Sequence, residues 1–185
     1  EVVALGSDRF ISAGEALFTA ARELKAHGHY AAGVDMLARA IDWQRDWSVV
    51  GSPTVSDRLA LARMHYEADE WPEAAELLSP LQRERPEDAD VLGAAGTLAA
   101  RMGNEAAARG ALSALRAKTG QFRYGRHLLW AARIAAVLGD HVTALSLLRG
   151  AFARGCGHDI ALHTDIDLSR LSTDERYREM LRPRG

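Results

Sequence analysis

Residues Leu128 to Leu148 read LLWAARIAAVLGDHVTALSLL, the most apolar stretch of the chain. Arg133, Asp140 and His141 interrupt it, and no run reaches the ~18 apolar residues of a membrane span. Gly139-Asp140 is a strong breaker. The stretch therefore reads as two adjacent helices split at that point, about Tyr124–Leu138 and Asp140–Arg154. A turn residue recurs upstream at Gly103, Asp69 and Gly28. The steps along Gly28, Asp69, Gly103 and Gly139 are 41, 34 and 36 residues. A helix–turn–helix unit of ~34 residues marks a repeat architecture.

Working outward, four helical hairpins account for most of the chain. The first has outer limits near Ser12 and Gln44. Ser12 stands three residues before Glu15, a capping-box spacing, and Leu17, Ala20, Ala21 and Leu24 follow at helical spacing. Gly28 breaks that helix, and Tyr30, Val34, Leu37, Ala40 and Ile41 stripe its partner. The segment DWQRDWSVVGSPT comes next. Gly51 and Pro53 make it an irregular linker that takes up the seven residues by which the first step exceeds 34. The third helix spans about Ser56–Ala68. In the fourth, Pro72 sits in the first turn, where its missing amide costs nothing, and Ala74, Leu77, Leu78 and Leu81 face inward before Pro86. Helices five and six, about Asp88–Met102 and Asn104–Ala117, are rich in alanine. After Gly155 come a loop, a short turn and a last helix, with Ser172 and Glu175 again at capping-box spacing. Leu168, Leu171, Tyr177, Met180 and Leu181 are placed to cover the open end that a stack of repeats leaves. The expected organisation is a lead-in over 1–11, repeats over 12–155 and a cap over 156–185.

Composition narrows function mostly by exclusion. The chain has 185 residues, 48% hydrophobic and 26% charged, with net charge −2. That balance favours neither nucleic acid nor an acidic membrane as a partner. The lone Cys156 cannot form an internal disulfide and suits a reducing, cytoplasmic compartment. The start lacks a signal-peptide pattern and an initiator Met, and the chain reads as a piece of a longer protein.

The hairpins resemble the tetratricopeptide repeat family, which prefers Gly at the turn, an aromatic two residues later and Ala five later. The matches are Gly28, Tyr30 and Gly33; Asp69, Trp71 and Ala74; Gly103, Glu105 and Ala108; Gly139, His141 and Ala144. The family's late small residue is Ala40 and Ala151 in the outer units but Leu81 and Leu115 in the middle ones, and its terminal Pro is matched by Pro86. The resemblance covers about residues 12–155 and implies an all-α, right-handed solenoid of about four hairpins plus a carboxy-terminal capping helix. From YGRHLLW onward the chain also resembles the carboxy-terminal end of large bacterial regulatory proteins of the serine/threonine kinase-associated type. That implies a catalytic domain, if any, upstream. The chain itself has no glycine-rich phosphate loop, His-Arg-Asp loop or Asp-Phe-Gly.

Four groups of residues invite a chemical reading. His27 and His29 flank Gly28, but residues two apart on a helix do not share a face, and they read as polar turn residues. Cys156, His158, His163, Asp165 and Asp167 share one tail segment without the regular spacing of a zinc site. Asp165-x-Asp167-x-Ser169 begins like a calcium loop, yet Arg170 stands where Gly is required and Arg176 where Glu is. No metal and no cofactor is expected. Trp71 and Trp130 fall at core positions, while Trp43 and Trp47 straddle the irregular segment and read as its packing.

One surface remains. The family's concave face is lined by the first helix of each hairpin. Carried over, this gives Glu15, Phe18, Arg22 and Lys25; Ser56, Leu59, Arg63, Tyr66 and Glu67; Asp90, Gly93, Thr97 and Arg101; Arg126, Leu129 and Arg133. Six bases stand against three acids there. Arg22, Arg63 and Arg133 share one register, and guanidinium forks suit carboxylates or phosphates. The expected partner-binding residues are Phe18, Arg22, Lys25, Arg63, Tyr66, Arg101, Arg126 and Arg133, taking an extended acidic peptide or protein segment. The plainer reading is that these arginines pair with neighbouring acids. The expected function is a non-enzymatic protein-interaction module. The alternatives are self-association through an apolar hairpin around residues 1–20, giving a homodimer, and an accessory domain that positions a missing kinase or cyclase domain.

Overall fold

The computed structural model describes residues 12–50, 52–119, 124–157 and 160–182. The described residues are helical, with turns between and no strand. Two compact units divide the chain, residues 1–81 and 82–185. The first holds α1 (Ala13–Ala26), α2 (Tyr30–Val50), α3 (Val55–Glu67) and most of α4 (Trp71–Glu84). The second holds α5 (Ala89–Arg101), α6 (Glu105–Ala117), α7 (Arg126–Val137), α8 (His141–Ala153), α9 (Ile160–His163), a 3-10 turn over Leu168–Leu171 and α10 (Glu175–Leu181).

The turn residues decide the hairpins. Gly28, Asp69, Gly103 and Gly139 all have positive φ, at 84°, 60°, 76° and 83°. Each stands one residue past the cap of its helix and makes the same pair of hydrogen bonds. Its own amide donates three residues back: Gly28 to Lys25, Asp69 to Tyr66, Gly103 to Ala100 and Gly139 to Ala136. The next amide donates five residues back: His29 to Leu24, Glu70 to His65, Asn104 to Ala99 and Asp140 to Ala135. This is a Schellman stop, which satisfies carbonyls that a helix end leaves free. The residue that completes it also starts the next helix. The carbonyls of His29, Glu70, Asn104 and Asp140 accept from Gly33, Ala74, Ala108 and Ala144. Gly155, with φ 90°, ends α8 in the same manner.

Equivalent positions pack equivalently. The small residue five past the turn (Gly33, Ala74, Ala108, Ala144) is buried in every hairpin. So is a leucine nine past it: Leu37, Leu78, Leu112 and Leu148. Ala40, Leu81, Leu115 and Ala151, twelve past the turn, are wholly inaccessible. Glycine replaces alanine at position 33 because a Cβ there would lie 2.6 Å from Lys25 Cγ and 2.9 Å from the Ala21 carbonyl oxygen. In the first unit α1 packs on α2 and α2 on α3. Phe18, Ala21, Leu37, Ala40, Ile41, Leu61 and Met64 form its core, with Leu77 of α4 against it. In the second unit α7 is central, packing on α5, α6, α8 and the 3-10 turn.

Two sequence expectations change. The segment assigned to an irregular linker continues α2 as far as Val50. The seven additional residues therefore lengthen a helix instead of a loop. Nothing in WQRDW resists helix, and Trp43 stacks on Trp47 one turn later, with centroids 5.4 Å apart and planes at 8°. Such a parallel pair adds to the apolar area the two rings cover. The last helix is capped by Asp174, whose side chain accepts from the Arg176 amide, and not by Ser172. A capping box that the sequence reading did not single out joins Thr54 and Asp57 at the start of α3. The Ser12–Glu15 box is present as expected.

Candidate functional site: two arginine clusters

The first cluster lies on α1 and α3. Phe18 is buried, and the guanidinium carbons of Arg22 and Arg63 each lie 5.9 Å from its ring centroid. A ring face attracts a cation placed so. Arg22 pairs with Glu67 at 3.5 Å. Lys25 Nζ donates to the Glu67 carbonyl at 3.4 Å and stands 5.7 Å from the Tyr30 ring. Tyr66 is buried. The rings of Phe18 and Tyr66 thus belong to the interior; the Arg22 and Glu67 side chains are themselves largely buried, at 11% and 10% exposure, and Lys25 and Arg63 are partly exposed.

The second cluster lies on α5, α7 and the segment after α9. Asp90 of α5 accepts from Arg126 Nε and, at 2.6 Å, from Trp130 Nε1. Gly93 is buried against the Trp130 side chain, and Thr97 turns its hydroxyl back to the carbonyls of Gly93 and Ala94. Arg133 stacks on Trp130 at 4.5 Å and donates to Asp165 at 2.7 Å. Arg101 donates to Asp167 through Nε and Nη2, at 3.3 and 2.8 Å, and to the Ile166 carbonyl at 3.1 Å. Both aspartates are about 95% buried, at 5% and 4% exposure. Buried carboxylates need such partners, since removing a charge from water is costly.

Asp165 does two things. Its Oδ2 faces Arg133, while its Oδ1 accepts from the amides of Asp167 and Leu168 at 3.0 and 3.2 Å. The turn it closes drives Leu168 and Leu171 into complete burial. Beyond it, the buried Tyr177 donates its hydroxyl to the Leu162 carbonyl at 3.0 Å. Burial, and secondarily the Asp165 charge, push the Tyr177 phenol well up, so it stays a neutral donor.

The expected partner-binding residues therefore fall into two sets, Phe18, Arg22, Lys25, Arg63 and Tyr66 in the first unit and Arg101, Arg126 and Arg133 in the second. Two of the three acids expected among them, Glu67 and Asp90, pair with Arg22 and Arg126. Asp165 and Asp167 were missed as partners, because they lie 32 and 66 residues from the arginines they bind. Of the tail residues weighed as metal ligands, His158 lies outside the described residues, and no group of three His, Cys, Asp or Glu side chains converges among the described ones. Residues 1–11, half of the hairpin considered for self-association, lie outside them too. No described helix is long and apolar enough to cross a membrane. No protein-family model, curated protein or solved structure matches the chain.

Proposed function

We propose that this chain is a non-enzymatic protein-interaction module of tetratricopeptide-like hairpins. In this reading the first helices of the hairpins present arginines that take carboxylates from an extended or turned segment of a partner protein. The observation that carries it is the grip of Arg101 and Arg133 on the non-helical segment Asp165-Ile166-Asp167. That contact is a working instance, within one chain, of the recognition chemistry the arginine register offers. Charge-assisted, forked donors are the strong class of hydrogen bond. Arg22 and Arg63, in the register of Arg133, flank Phe18 in the first unit and supply the same chemistry there. The sequence resemblance to the tails of bacterial regulatory proteins supports reading the module as part of a larger signalling protein, and the lone cysteine suits the cytoplasm.

The test is an array of 12-residue acidic peptides probed with the full chain. Retention of a subset is expected, with at least a tenfold loss for Arg63→Ala and for the double variant Arg22→Ala/Arg63→Ala. Circular dichroism establishes that each variant is folded. No retained peptide, or retention unchanged by both variants, overturns the reading.

A further inference from the structure

We infer that the face built by Arg101, Trp130 and Arg133 is a receptor for a compact acidic turn, Asp-x-Asp-Leu. The chain's own Thr164–Leu171 segment is its resident occupant, and a partner protein bearing the same turn is its ligand in trans. The inference rests on the interaction-module reading and names the partner's chemistry.

Three features of the segment make it a ligand rather than ordinary core. Its shape is made locally. Asp165 Oδ1 holds the amides of Asp167 and Leu168, the Asp165 carbonyl accepts from Ser169, and Ser169 Oγ donates to the Ile166 carbonyl at 2.7 Å. Asp side chains favour such local turns. Local bonds travel with the sequence, so another chain with this pattern folds the same turn. The polar docking contacts are directional: Asp165 on Arg133, and Asp167 with the Ile166 carbonyl on Arg101. The two aspartates engage different helices, α7 and α5, which fixes the turn's orientation. The apolar part is equally compact, since Leu168 and Leu171, both fully buried, are supplied by the same eight residues. A free peptide carrying them brings its own replacement for every group it displaces.

The receptor side is prepared. Trp130 is held by Asp90 through its indole N–H and in turn supports the Arg133 guanidinium by stacking. Arg133 and Arg101 are themselves largely buried, at 11% and 18% side-chain exposure. Those exposures are the occupied state's; the Trp130 stacking contact is independent of the turn and holds Arg133 in place without it, which lowers the ordering cost of binding. The occupant held in cis competes with any such ligand by its high effective concentration. The intact chain is therefore a weak receptor that strengthens when its own turn is loosened.

The probe is a fluorescein-labelled peptide of residues 163–172, HTDIDLSRLS, titrated into the full chain by anisotropy. The variant Asp165→Asn/Asp167→Asn keeps the shape and removes both charges. It is expected to bind the probe at least tenfold more tightly than the unsubstituted chain, and adding Arg133→Ala is expected to reverse the gain. If the double variant does not fold, the unsubstituted chain answers. Millimolar unlabelled peptide is expected to speed hydrogen exchange at the Asp167 and Leu168 amides, and the same peptide with both aspartates changed to asparagine is not. Equal binding by a folded double variant and the unsubstituted chain overturns the inference, as does unchanged exchange where the variant is unfolded. Either result leaves the array assay at Arg22 and Arg63 standing, so the two readings fail separately.

Discussion

Asp69 carries a φ of 60° at a turn where the other three hairpins have glycine. An L-residue meets its own carbonyl in that region, at a cost that Asp bears better than most side chains. Asp69→Gly is therefore expected to raise stability by about 0.5–1 kcal/mol, and Gly103→Ala to lower it by about 1–2 kcal/mol. Paired urea melts check both, and a loss of stability in Asp69→Gly contradicts the account. A second residue-level expectation concerns Asp174. The guanidinium of Arg176 grips both of its oxygens, at 3.0 and 2.7 Å, and pushes its carboxyl down to about 2. A folded-state pKa below the ordinary 3.8 stabilises the fold above pH 3.8, and that contribution disappears as pH falls towards 2. In Arg176→Ala the carboxyl is expected to titrate nearer 3.8, as read by carbon-detected NMR. The turn residues were legible in the sequence because one backbone geometry demands glycine or a tolerant substitute. The partners of Arg101 and Arg133 were not. Asp165-x-Asp167 offered carboxylates whose role depends on what a remote segment meets, and local pattern holds no record of that.

At the scale of elements, the four hairpins share a device in which the residue ending one helix's stop begins the next helix. Asn104 and Asp140 add a side-chain cap to it, accepting from the amides of Ala107 and Thr143 at 3.2 and 3.0 Å. Each of these caps satisfies an amide the helix cannot, so Asn104→Ala and Asp140→Ala are expected to cost about 1 kcal/mol apiece. Denaturant midpoints measure this, and two neutral results would show that the backbone stop alone sets the turn. The Thr143 side chain, then its amide, hold the Asp140 carboxyl below its ordinary value. Its contribution is accordingly complete above pH 3.8 and fades as pH drops below that. The end of α2 shows where element reading fails. The turn signal at Gly51 and Pro53 is real, and the repeat step of 34 drew the helix end back towards Gln44. Period is a property of the average unit. Asp42, Trp43, Gln44, Arg45 and Trp47 carry no breaker, so local chemistry favours continuing the helix, and the stacked tryptophans reward it.

For the molecule as a whole, the division into two units decides how damage spreads. The pair Arg133–Asp165 fastens the segment before the 3-10 turn to α7, and both partners lie in the second unit. Removing one member of a buried pair strands the other charge in low dielectric, a loss of about 3–5 kcal/mol. Asp165 also supplies the acceptor for two amides, so Asp165→Ala frees those donors as well. The first unit has its own core around Phe18, Leu37, Ile41, Leu61 and Met64. Native-state hydrogen exchange on Asp165→Ala is therefore expected to show the largest loss of protection at 162–171, with a smaller, partial loss across α5 to α8, which stay folded. Amides of α1 and α3 should keep theirs, because local opening follows the cooperative unit that holds the broken contact. Uniform loss across all these helices would mean that the chain opens as one body. Confinement to 162–171 would mean that the clasp fastens the segment alone and contributes nothing to the helices beneath it.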